Sequence, residues 1–185
     1  MEDLVNTQHK QQTRNNGKVP YVTHLYGVRS VLESLIESCG EITDATLAKD
    51  LGNAALGHDL LEDTHVTKEE ITANSNSRTL ALIEELTNPE DDAHTEKYMN
   101  QLHTASEEAR LVKYADLIDN TLSVAYGLHD LGRDWIKDFY LPILENTQKI
   151  LADTNFTKYP KTAEEACRIL KLAVELLSAK LTKVN

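Results

Sequence analysis

A small, apolar run, Ala54-Ala55-Leu56-Gly57, gives way to His58, Asp59, Glu62, Asp63 and Thr64. A helix wall of that kind ordinarily continues in Leu and Val, because a buried charge costs several kcal/mol unless it is paired or bound to metal. Helical spacing places Glu62 one turn beyond His58 and Asp63 one turn beyond Asp59. Adjacent His58 and Asp59 can turn toward one metal ion, while Glu62 and Asp63 project from the next turn toward whatever that ion activates. The alternative is a solvated acidic helix end. Acidic groups, however, favour the N-terminal end of a helix, and these follow an apolar run. The stretch reads as a site.

Two other positions carry the same tension more weakly. His24 lies near an apolar stripe, one turn before Val28, and reads either as a packed core histidine or as a ligand. Asp116 sits beside the apolar side marked by Leu111, Val112, Ala115, Ile118 and Leu122, with Asn120 one turn later. It reads either as a residue at the stripe's edge or as a carboxylate that something binds.

The elements that must position these groups are helices. A polar first helix is predicted over residues 3–13, followed by a loop at 14–20. Pro20 suits a first helical position, and a stripe of Val28, Val31, Leu32, Leu35 and Ile36 marks a helix over 21–38. Gly40 closes it, and Thr43 or Asp44 caps the next, which runs into the opening stretch. Thr67 with Glu70 forms a capping box for a short helix through Ile71. Short helices are predicted over 80–86 and 95–102, with a solvated Glu90-Asp91-Asp92 between them. Thr104 with Glu107 is expected to cap a helix over 105–126. A helix over 135–151, despite Pro142, and a last one opened by Thr162 and Glu165 complete an all-α single-domain bundle over residues 1–185. In it the helices of 133–183 pack on the core. The stripe Ile169, Leu172, Ala173, Leu176 and Leu177 marks the last helix as packing without chemistry.

Composition narrows the functional classes. A chain of 185 residues is long enough for one sizeable core. Its net charge of −11 argues against a general nucleic-acid or membrane-surface binder. No stretch approaches a membrane span or a signal-peptide core. Cys39 and Cys167 form no metal-type pair, so a cytoplasmic location is expected. No sequence feature specifies an oligomer.

Taken together, the ordered set His24, His58-Asp59 and Asp116 resembles the HD superfamily of metal-dependent phosphohydrolases. It resembles more closely the hydrolase domain of the RelA/SpoT proteins and the stand-alone small alarmone hydrolases. The matching motifs are Arg14-Asn15-Asn16-Gly17, Pro20-Tyr21-Val22-Thr23-His24, His58-Asp59-Leu60-Leu61-Glu62-Asp63-Thr64 and Val112-Lys113-Tyr114-Ala115-Asp116-Leu117-Ile118-Asp119-Asn120. With Leu82-Ile83-Glu84-Glu85-Leu86-Thr87, the likeness covers residues 8–126 or so. It implies an HD-domain bundle with His24, His58, Asp59 and Asp116 as metal ligands. Two imidazoles and two carboxylates are a borderline-hard set suited to manganese or iron, with zinc or cobalt possible.

By the same resemblance, Glu62 and Asp63 assist the attacking water, one as general base or orienting group and the other in support. Arg14 would lie near the guanine or a phosphate, Asn120 at the ribose and Ser123 at the base edge. The implied activity is removal of the 3′-diphosphate of ppGpp or pppGpp, giving GDP or GTP and pyrophosphate, with a small nucleotide as substrate and neither nucleic acid nor membrane as partner. His65, His94, His103 and His129 read as surface histidines.

Several positions depart from the family motif: Asn15 in place of a usual Lys, a loop lengthened by Lys18-Val19, Leu25 in place of a usual Pro, and Leu117 and Asp119 where basic or histidine residues are common. These are expected to leave the metal set untouched and to alter which nucleotide is held. They keep open an HD-type phosphohydrolase of dNTPs, nucleoside monophosphates or NADPH. A nucleotide-sensing module without turnover is the remaining alternative, and the presence of both Glu62 and Asp63 argues against it.

Overall fold

A computed structural model describes residues 1–14, 17–88 and 96–183. Asn15, Glu90-Asp91-Asp92 and His94 lie outside the described residues, as does the side chain of His129. The helices run in the order α1 (Glu2–Gln8), α2 (Val22–Cys39), α3 (Ala45–Gly57), α4 (Leu60–Asp63), α5 (Lys68–Asn74), α6 (Ser77–Leu86), α7 (Glu96–Thr104) and α8 (Glu107–Tyr126). After them come α9 (Leu128–Leu131), α10 (Arg133–Trp135), a π-helical segment (Ile136–Tyr140), α11 (Leu141–Ala152) and α12 (Pro160–Lys183). Among the described residues the only non-helical pairing is an isolated antiparallel bridge between Thr13 and Pro20. The fold is all-α.

The centre is α8, buried along most of its length and packed by α2, α3, α6 and α12. Its wall carries Ala109, Leu111, Val112, Ala115 and Ile118, each almost wholly removed from solvent. On α2, Leu25, Val28, Leu32, Leu35 and Ile36 recur at helical spacing and face inward. Apolar burial of this kind is the main favourable term in folding.

Several local details differ from the sequence expectation. The first helix stops at Gln8, and residues 9–14 turn back so that Tyr21 N–H donates to Gln12 O at 2.9 Å. Val5 is the only buried residue of α1, so no stripe carries the helix onward. Ser106, not Thr104, caps α8, accepting the Ala109 N–H at 3.2 Å. Thr104 instead ends α7, its hydroxyl donating to Asn100 O.

The single helix expected over 135–151 is divided by the π-helical segment. Pro142 lacks an N–H and its ring crowds the carbonyl one turn back, and a widened turn just before it relieves both problems. The last helix begins at Pro160, and Glu41 caps it from a distance. Glu41 accepts from the Lys161 N–H at 3.1 Å, the Thr162 N–H at 2.7 Å and the Thr162 hydroxyl at 2.8 Å. Glu165, expected with Thr162 to open this helix, pairs with Arg168. The buried stripe of α12 runs through Ala163, Ala166, Leu170, Ala173, Leu177 and Leu181, leaving Leu172 exposed. The capping box of Thr67 with Glu70 and the caps by Asp44 and Gly40 form as the sequence indicates.

Candidate metal centre and nucleotide cavity

The opening stretch is not one continuous helix. α3 ends at Gly57, His58 keeps near-helical angles, and Asp59 (φ −98°, ψ 0°) breaks the path before α4 begins at Leu60. On a regular helix, adjacent side chains diverge by about 100°. The break turns His58 and Asp59 together, bringing His58 Nε2 to 3.1 Å from Asp59 Oδ2. Asp59 lies in the sparsely populated bridge region, where active-site residues are often found.

His24, from the first turns of α2, and Asp116, from the middle of α8, complete the cluster. His24 Nε2 lies 3.3 Å from Asp116 Oδ1 and 3.7 Å from Asp59 Oδ2, and His58 Nε2 lies 3.7 Å from Asp116 Oδ1. Donor atoms of His24, His58 and Asp59 all fall within 4.8 Å of one another. The remaining ring nitrogens are already engaged. His58 Nδ1 donates to Ala55 O at 2.8 Å, and His24 Nδ1 donates to Asp119 Oδ2 at 2.7 Å. Both imidazoles therefore aim Nε2 at the two carboxylates. His58 Nε2 is buried and makes no hydrogen bond. An orphaned buried nitrogen facing two carboxylates fits a divalent cation.

The electrostatics agree with that reading. Burial disfavours charge on His24, but Asp116, Asp119 and Asp59 outweigh it and hold the imidazolium up to about 9. For Asp116, burial is overcome by Lys113 and the two histidines, which keep its carboxyl well below the usual range. Lys113 Nζ sits 2.8 Å from Asp116 Oδ2, and Tyr21 donates its hydroxyl to Asp59 Oδ2 at 2.6 Å. Lys113 thus holds Asp116 by the oxygen turned away from the histidines, whereas Tyr21 donates to the same Asp59 oxygen that faces them.

Glu62 and Asp63 stand on the adjoining turn, as the spacing indicates. Glu62 is open to solvent on one side and crowded by protein on the others. That crowding pushes its carboxyl up to about 6, against the Asn88 N–H that donates to Oε1 at 2.5 Å. Asp63 is raised too, by burial and by Asp59.

A cavity of about 660 Å³, counting its open mouth, adjoins the cluster. Its lining includes Arg14, Tyr21, Asn120 and Ser123, so the three residues expected to hold substrate meet there. Gly17, at φ +67°, allows the turn that returns the chain, with its N–H donating to Arg14 O and Arg14 N–H to Val19 O, both at 2.8 Å. Asn120 Nδ2 donates to Asp116 Oδ1 at 2.6 Å, so the cavity and the cluster share a wall.

Three participants escape a reading of the sequence by type and spacing. Lys113 and Tyr21 lie within the quoted motifs but offer no independent signal. His9 is buried, stacked on Tyr21 at 5.3 Å between centroids, and hydrogen-bonded through Nδ1 to Gln12. The expectation that Asp119 leaves the metal set untouched fails. It touches the cluster directly through His24. Of the histidines read as surface groups, His65 and His103 are exposed.

Similar proteins agree with this geometry. A Xenopus tropicalis protein named guanosine-3′,5′-bis(diphosphate) 3′-pyrophosphohydrolase MESH1 is 35% identical over 130 residues, 68% of this chain and 64% of its own length. The proteins of the same name from Mus musculus and Homo sapiens are each 33% identical over 135 residues, 71% of this chain and 67% of theirs. The chain belongs to the MESH1 family. The matched part spans about two thirds of those curated relatives. A solved structure of a metazoan SpoT ortholog, described as hydrolyzing ppGpp, superposes with a TM-score of 0.64 at 25% identity over 90% of both chains. The chain shares the HD fold of that family. No protein-family model matches it. Among the described residues, no helix is long and apolar enough to cross a membrane.

Proposed function

We propose that this chain is a manganese-dependent (p)ppGpp 3′-pyrophosphohydrolase. One observation carries the reading: the His–Asp cluster shares a wall with a cavity lined by Arg14, Asn120 and Ser123, in a chain whose relatives are named for this activity. His24, His58, Asp59 and Asp116 would hold the ion, and their donor set suits manganese. When bound, such an ion lowers the pKa of a coordinated water and polarises a phosphoryl oxygen.

The chain's own residues supply the rest. Water adds at the phosphorus next to the 3′ oxygen, the P–O3′ bond breaks, and the nucleoside oxygen takes up a proton. Glu62 is the general base and Asp63 the orienting group, because a carboxyl held up to about 6 accepts a proton efficiently near neutral pH. Arg14, Asn120 and Ser123 hold the nucleotide. Lys113 and Tyr21 keep Asp116 and Asp59 oriented.

Residues 1–185 are read as one hydrolase domain, supported by the packing of α12 along α8 and α2. Cys39 and Cys167 are both free thiols, which suits the cytoplasm.

Purified protein with Mn²⁺ and ppGpp should release GDP and pyrophosphate; an inert assay with metal bound overturns the assignment. A second reading, another nucleotide on the same site, is favoured by Arg14, whose guanidinium already serves Asp119 and Asn120. Turnover of dNTPs, nucleoside monophosphates or NADPH far above that of ppGpp would select it.

A further inference from the structure

Asp119 joins the two halves of the site through a single atom. Its Oδ2 accepts from His24 Nδ1 at 2.7 Å and from Arg14 Nη1 at 2.7 Å. Both partners are largely shielded from solvent: the His24 side chain is 3% exposed and that of Arg14 is 13% exposed. Arg14 Nη2 reaches Asn120 Oδ1 at 3.0 Å, and Asn120 in turn reaches Asp116. Room for the carboxylate comes from Gly27, one turn after His24 on α2. A Cβ there would collide with Asp119 Oδ1 and lie 2.9 Å from its Cγ.

We propose that Asp119 is a positioning residue that couples cation binding at His24 to nucleotide binding at Arg14 by dividing one carboxylate between them. This rests on the cation reading given above. A carboxylate on the outer nitrogen of a ligating histidine fixes the ring and strengthens the inner nitrogen as a donor. Arg14 draws on the same oxygen and so weakens that effect. A nucleotide phosphate that draws Arg14 away returns the carboxylate to His24 and tightens the ion. By reciprocity, an ion on His24 strengthens the Nδ1–H donor, engages Asp119 more fully and releases Arg14 to the nucleotide.

The test is calorimetric titration of the purified full chain with Mn²⁺ alone, with no nucleotide present. Asp119→Asn should weaken Mn²⁺ about 10–100-fold. Gly27→Ala, which displaces the carboxylate without altering it, should also weaken binding. Arg14→Ala should tighten Mn²⁺ roughly 5-fold or more, an effect that a merely structural role for Asp119 would not give. In the Asp119→Asn background, Arg14→Ala should change nothing. An Arg14→Ala protein with unchanged or weaker Mn²⁺ affinity overturns the coupling, and so does an Arg14 effect that persists without Asp119. Parent protein that binds no Mn²⁺ overturns the cation reading, and the coupling with it. The Arg14→Ala arm decides the matter even where Asp119→Asn fails to fold.

Discussion

The first residue and the middle of α8 bury acidic groups in opposite ways. At its N-terminal end, Glu107 accepts from the Thr157 N–H and hydroxyl, both at 2.8 Å, from the Lys158 N–H at 2.9 Å and from the Tyr159 N–H at 3.2 Å. The network closes on itself and fastens the segment before α12 to the helix. Farther along, Asp116 meets two imidazoles and a lysine, and the unpartnered Nε2 of His58 faces it. Both regions are polar and buried. What separates an anchor from a site is whether its donors and acceptors are all used. A satisfied network stabilises the fold, whereas an open one reserves its groups for a ligand.

Replacing His58 tests that contrast most severely. His58→Ala should lose stoichiometric metal, measured by elemental analysis, and with it all turnover above background. It should also lose the thermal stabilisation that added Mn²⁺ confers on the parent, since ligand bound only to the folded state adds stability. Metal content equal to the parent's would remove His58 from the ligand set.

Glu62→Gln should lower kcat by about 10²–10⁴ with metal content and melting temperature unchanged. A large fall in melting temperature would place Glu62 with Glu107 among the anchors.

The reverse is expected of Glu107→Gln. Loss of the charge should cost about 1–3 kcal/mol of stability in denaturant melts while leaving kcat per folded molecule intact. The pH dependence sharpens this. Burial resists ionisation of Glu107, but its hydrogen-bond donors prevail and hold the carboxyl below the ordinary 4.5. A depressed folded-state pKa gives stability that is fully present above the unfolded value and lost as pH falls through the folded one. The gap between parent and Glu107→Gln should therefore be constant above pH 4.5 and shrink below it. A gap independent of pH in that range would mean that charge is not the cause.

The smallest effect belongs to an exposed pair on α12. Arg168→Ala should leave both melting temperature and kcat unaltered, because the Arg168 and Glu165 side chains are 60% and 33% exposed and water screens such pairs.

The polar residues that interrupt apolar helices were legible from type and spacing alone. His58, Asp59, Glu62 and Asp63 stood out because a helix wall has no ordinary use for them. The family motifs supplied Arg14, Asn120 and Ser123, which do line one cavity. Some local caps are legible in the sequence, as with Asp44 and with Thr67 and Glu70, whereas the equally local cap of α8 falls on Ser106 and not on the expected Thr104. Caps supplied from elsewhere in the chain are not legible. Glu41 serves the first turn of α12 from about 120 residues away, and no local pattern announces it.

The sequence by itself determined an all-α fold with two histidines and two aspartates spread over three predicted helices. Periodicity and residue chemistry are local properties, and a linear chain displays them fully. Tertiary structure alone decided that Asp119 bridges His24 and Arg14, and that Gly27 leaves it room. Those contacts join positions as many as 105 residues apart. They exist only because α2, α8 and the Arg14 loop pack within hydrogen-bond distance of one another. The break at Asp59 has the same origin: the convergence of two neighbouring side chains is set by backbone angles, not by residue identity.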